Sequence, residues 1–222
     1  MTEHVEESNA GETGIIPAYY FCLEGDGVNP GPAPGRAWRL KNPHNGDEAL
    51  IRSRLPEEEM IFVTVEATGE KPTEHRISRV FDGDGLDLAF EESTIMENTV
   101  TWLGGLSLPT AWFLKSETSA VTEKDFDPLN GQLKMSLRLA GFSGDKFKLP
   151  DWSPLPRKEG TDLLDSFDEK DVVRIQQKIT SEKTGVEIVS MNLYFAHGRG
   201  IIRASGKIIT KNVNYHLKEI LD

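Results

Sequence analysis

The part of this sequence closest to a chemical motif is a run of carboxylates at spaced positions, Asp82-Gly83-Asp84-Gly85-Leu86-Asp87. Calcium loops use carboxylates spaced this way, but they also need an oxygen ligand at the fifth position and a bidentate Glu at the twelfth. Here those positions hold Leu86 and Ser93. Two Asp-Gly steps between apolar runs are the signature of a hairpin turn, and that is the reading preferred. Asp82, Asp84 and Glu91 would make the acid and base of a hydrolase only if the fold converged them in one cleft.

Other candidate chemistry is thinner. The five histidines, His4, His44, His75, His197 and His216, are scattered, with no HxH or HExxH spacing, so no metal site is expected. His216 could face His197 across the final strands. Cys22 is the single cysteine and sits among aromatics, where a thiol behaves as a small buried hydrophobe; no signature of a nucleophilic cysteine surrounds it. Ser143, in Gly141-Phe-Ser-Gly144, lacks the spacing of a nucleophile elbow. There is no phosphate-binding glycine motif opening a helix, and Gly198-Arg199-Gly200 runs into a strand instead. Arg199 and Arg203 flank that turn as surface cations or contacts for an anionic group. No catalytic residue and no cofactor is expected.

The totals exclude more than they select. The chain of 222 residues carries a net charge of -11, which opposes binding to nucleic acid and to anionic membrane surfaces. One thiol permits no internal disulfide. No apolar run approaches the roughly 18 residues of a spanning helix. Residues 1–14 read as a disordered tail, and residues 1–16, acidic and polar, lack the basic and apolar regions of a signal peptide. The compartment stays open: exported if a leader has been removed, cytoplasmic otherwise.

The elements that must position any site are strands. A glycine- and proline-rich loop over 25–35 is followed by short runs of alternating or β-branched residues: Trp38 and Leu40, Ala49 to Leu55, Met60 to Glu66, Ile77 to Phe81 and Leu86 to Phe90. Thr94 to Leu103 reads as one longer or bulged strand, broken by Gly104-Gly105. Leu133 to Leu139 alternates, and 142–160, with three prolines around Trp152, is an extended connection and a weak candidate domain boundary. Residues 168–183 fit a helix or a strand; the strand is favoured because a meander follows, Val186 to Ala196 and Ile201 to Ser205. Gly206 is read as a bulge or turn, and Val213 to Ile220 as a last strand, with a short helix as the alternative. About a dozen strands with tight turns describe an all-β protein (or α+β with one short helix). Its antiparallel sheet would expose edges unless it curled into a barrel or half-barrel, which makes 15–222 one domain.

Two stretches carry a resemblance. Tyr19-Tyr20-Phe21-Cys22-Leu23, the glycine loop and Ala37-Trp38-Arg39 resemble the opening of a loose group of bacterial exported or lipoprotein-like β proteins. Tyr194-Phe195-Ala196-His197-Gly198-Arg199-Gly200-Ile201-Ile202-Arg203, then Tyr215-His216-Leu217, resembles their closing segment. The group has an apolar residue where this chain has Arg199 and a proline where it has His197. The resemblance implies a curled sheet similar to the half-barrels of lipoprotein carriers, whose concave face holds an acyl chain. It brings no catalytic residues.

The expected function is therefore non-enzymatic binding of an apolar, lipid-like molecule or a partner segment. Trp38, Phe62, Trp102, Trp112 and Tyr194 are the expected apolar lining. Within the closing hairpin Tyr194 and Ile202 should face inward and Arg199 should sit at the tip. The alternatives are a structural or interaction module that forms an oligomer, and the carboxylate hydrolase.

Overall fold

The computed structural model describes residues 37–57, 60–82, 85–95, 97–108, 117–122, 131–142, 147–165, 172–196 and 199–221. The expected tail over 1–14, Cys22, His4, His197, Gly198, Ser143 and Trp112 lie outside them. The described chain is a meander of twelve strands: β1 (Ala37–Lys41), β2 (Glu48–Glu57), β3 (Met60–Ala67), β4 (Thr73–Asp82), β5 (Gly85–Ile95), β6 (Asn98–Leu108), β7 (Glu117–Thr122), β8 (Leu133–Phe142), β9 (Val172–Ser181), β10 (Glu187–Ala196), β11 (Gly200–Ile208) and β12 (Lys211–Leu221). Each strand is antiparallel to the next, and β1 pairs with β12, so the sheet closes into a barrel in chain order. Among the described strands, closure leaves no edge to template aggregation.

The two faces follow from the period-two alternation of a strand. Across β9 to β12 one row of directly opposed residues is Ile175, Leu193, Ala204 and Tyr215. The next row is Arg174, Tyr194, Arg203 and His216. The first row faces the interior and the second the exterior. β9 shows why 168–183 resolves as a strand: Val173, Ile175 and Ile179 are buried at even spacing, with exposed Lys178 between. Val213 to Ile220 is likewise strand, within β12, and no helix occurs among the described residues.

Three local expectations are corrected. Thr94 and Ile95 end β5, the chain reverses at Glu97 with φ of 69°, and β6 starts at Asn98. β6 then runs on through Gly104-Gly105. Gly206 is no turn either: it lies inside β11, and the reversal falls at Ile209, with φ of 55°. At Gly206 an added Cβ would lie 2.0 Å from the Ser190 carbonyl oxygen, so glycine is required for the close approach of β10.

The seam between first and last strands is fastened on both faces. Outside, Arg39 pairs with Glu219, which lies directly opposite it, and Lys218 reaches Glu48 at 2.6 Å. That hydrogen bond from Lys218 is the main cause holding the Glu48 carboxyl below its usual pKa. Inside, Trp38 packs on the closing hairpin: its indole N–H donates to the Arg199 carbonyl at 2.9 Å, and a Cβ on Gly200 would meet the indole at 2.6 Å.

In the expected 142–160 connection, the described residues 147–165 form a strap. Leu149 N donates to Asp162 O and Leu164 N to Phe147 O, both at 2.7 Å, so the strap folds on itself. It buries Phe147, Leu149, Leu155 and Leu164. Phe147 meets Tyr194 and His216 edge-on on the outer face, with Arg203 over the Phe147 ring at 5.4 Å.

Candidate functional site

A barrel of eight strands has an interior that side chains fill or that holds one small ligand; more strands enclose more space. With twelve strands, this barrel keeps a cavity of about 330 Å3. That lies at the low end of the ~300–1,000 Å3 typical of small-molecule pockets. Its walls are mostly aliphatic, with Leu40, Ile51, Ile175, Ile179, Met191 and Leu193 among them. At the end where β1, β10 and β11 meet, Trp38, Phe195 and Ile201 form the floor. At the opposite end the lining includes Glu70 and Lys71 from the turn after β3, Ile208 and Lys211 from the facing ends of β11 and β12, and Ile209 from the turn between them. This end is the mouth. Lys71 pairs with Glu97 at 2.5 Å and Lys211 pairs with Glu70, so both rim ammonium groups are matched by a carboxylate.

One polar cluster stands in the upper wall. His75 lies directly opposite Ser93 on β5, and its Nδ1 is 3.0 Å from the Ser93 hydroxyl. The Trp102 indole N–H donates to the same hydroxyl at 2.9 Å. Ser93 and Trp102 are buried, and His75 is half-buried and lines the cavity. Burial pushes the His75 pKa down to about 4, because nothing there compensates a buried imidazolium. The ring is therefore neutral at pH 7.

The chain matches no family model, no curated protein and no solved structure.

The expected lining residues scatter over three environments. Trp38 lines the cavity. Trp102 is buried and serves as the donor to Ser93. Tyr194 is buried on the outer face against Phe147. Ile202, expected inward with Tyr194, has no exposed surface and sits where the β10–β11 register shifts. Phe62 belongs to β3, with its side chain outside the described set. Arg199 is exposed at the hairpin, as its place in the turn suggests. Glu91 lies near Arg76, at 3.6 Å, on the half-exposed outside of the barrel, away from the cavity lining. Among the described residues no three His, Cys, Asp or Glu come together as a metal site.

What the sequence did not single out is the aliphatic lining and the pairing of His75 with Ser93. A buried Trp must place its N–H, which was a signal that some acceptor stands near Trp102. Naming Ser93 needed the register of β5, which a shift between Arg76 and Ile77 obscures.

Proposed function

We propose that this barrel is a non-enzymatic binding protein that holds one apolar, lipid-like molecule in its interior. The observation that carries the reading is the hollow aliphatic cavity running from Trp38 and Phe195 to a mouth edged by Ile208 and Ile209. Removing apolar surface from water contributes about 25 cal/mol per Å2, so a mostly aliphatic wall needs no chemistry to retain such a molecule. The outer face supports an aqueous setting for the barrel walls. Exposed positions include Arg52, Glu66, Glu74, Lys134, Arg138 and Lys178. A bilayer-spanning barrel has the reverse arrangement, apolar outside and polar within. The resemblance of the two end segments to exported lipoprotein-like β proteins points to the same class of ligand, with the sheet closed here instead of half open.

The test is saturable binding of a polarity-sensitive naphthylamine dye, read by fluorescence, and its displacement by ten-carbon chains. Ala49 and Ala67 oppose each other and both line the cavity, leaving space beneath the mouth. Ala49→Phe with Ala67→Phe should weaken dye binding at least about tenfold while circular dichroism stays unchanged, because the phenyl rings occupy volume the dye needs. Absence of saturable binding by the folded wild-type protein would sink the proposal.

A further inference from the structure

The cavity wall also carries information about which end of a ligand it reads. The Trp102 indole can only donate, and it donates to Ser93. The Ser93 hydroxyl has one hydrogen to place. Among the described residues, its other hydrogen-bond neighbour is His75 Nδ1. Ser93 is 1% exposed, so a hydroxyl hydrogen aimed elsewhere would be buried with no other side-chain acceptor among the described residues. The arrangement that uses every hydrogen has Ser93 donating to Nδ1. Nδ1 then carries a lone pair, and a neutral imidazole must hold its proton on Nε2. Trp102 and Ser93 thus fix the tautomer of a ring that lines the cavity.

His75 is two residues inside β4, one inward-facing row below the mouth, at a depth of ~7 Å. From there to the floor the other named walls are almost entirely hydrocarbon. The lining also carries the hydroxyls of Thr73, Thr94 and Tyr215, which can donate or accept, and the Gln177 amide, which is directed at Met135 Sδ at 3.6 Å. A carboxylate head would need an uncompensated cation in this low-dielectric space. His75 is uncharged, and the lining's two lysines are each paired with a glutamate.

Resting on the cavity reading above, we propose that the His75 Nε2–H is an anchor for a neutral acceptor (an ester, ketone or alcohol oxygen) at the mouth-side end of an amphiphile. Its tail lies toward Trp38, Phe195 and Ile201. Ser93 does not line the cavity, so the His75–Ser93 pair orients a hydrogen-bond donor, and no acyl transfer is assigned to it.

The test uses the full chain at pH 8 and three competitors for the bound dye: decane, methyl decanoate and decanoate. One added hydrogen bond is worth about a five- to tenfold preference. Wild type should bind methyl decanoate tighter than decane by about that factor, and tighter than decanoate. His75→Phe should lose the ester preference, read as the ratio of methyl decanoate to decane affinity within that variant, and His75→Gln, which keeps an N–H donor, should restore most of it. An ester preference unchanged in His75→Phe, or decanoate as the tightest ligand in wild type, would overturn the assignment. If His75→Phe does not fold, the imidazole 15N shifts of wild type decide it. A proton on Nε2 at pH 7 supports the anchor, and a proton on Nδ1 overturns it. Decane binding without ester preference removes this assignment alone. No binding of any probe by folded wild type removes the cavity reading and this one together.

Discussion

His216 is buried and His75 half-buried against the cavity, and both are held near pKa 4, chiefly by desolvation. Around them the barrel differs completely. His75 has a hydrogen-bonded support behind it and open volume in front. His216 is sealed under the strap: Phe147 covers it at 6.0 Å between ring centroids, and Arg203, directly opposite on β11, further disfavours its charge. Its Nδ1 has no hydrogen-bond partner among the described residues. A lowered pKa therefore marks burial in both places, and only the empty space beside His75 marks a site. On the outer face beside His216 the strap takes that space, with Phe147, Leu149, Leu155 and Leu164 buried in it.

That contrast can be broken at either end. Phe147→Ala should show the largest effect, a loss of about 3–5 kcal/mol in chemical denaturation, because a packed outer layer cannot close over the missing ring. Dye affinity at temperatures where the variant is folded should stay within twofold, since the strap lies outside the cavity; a tenfold loss would show that the two faces are coupled. Gly200→Val strikes the inner side. Its φ of 74° and the 2.6 Å approach of Trp38 mean that a side chain strains the backbone and displaces the floor. A loss of about 2–3 kcal/mol together with altered dye binding is expected, and unchanged stability would show that the hairpin does not brace Trp38.

Acid should act on both histidines alike. Each has a folded pKa below the usual 6.5, so the unfolded chain takes up its proton first as pH falls. Their contribution is fully present above that value and is lost as pH drops toward about 4. Urea midpoints at about pH 7.5 and 5 should reveal a loss of up to about 2 kcal/mol per histidine. His216→Phe and His75→Phe should each remove roughly half of that histidine-linked loss; a variant that removes none would place its histidine in solvent. The smallest effect belongs to the rim. Lys71→Ala breaks an exposed pair with Glu97 and should change stability by under about 1 kcal/mol, with no change in affinity for decane.

The sequence made the strands legible wherever alternation was strong and a turn residue stood at the break. The pairing of Asp82 with Gly85 across a two-residue loop is the Asp-Gly hairpin as read. The reversals at Glu97 and Ile209 were hidden because residues with no turn preference hold positive φ there. Conversely, glycine at 206 misled, since its role is contact with the Ser190 backbone and not chain reversal. The curled sheet followed from the cost of exposed edges, but the lining did not follow from side-chain size. Large aromatics such as Trp102 and Tyr194 went to packed positions, while Ile175, Met191 and Leu193 border the empty space. Which face a strand presents depends on register, and one bulge changes it.

On the proposed function, the hollow barrel interior takes up one apolar guest. Methyl NMR of the 13C-labelled protein titrated with decane tests it directly. Met191 and Ile175 border the cavity, whereas Leu155 is buried in the outer strap, away from its lining. The Met191 and Ile175 methyls should shift and saturate at one equivalent while the Leu155 methyls hold their position. No shift at Met191 and Ile175, or the same drift at all three, would contradict a binding cavity.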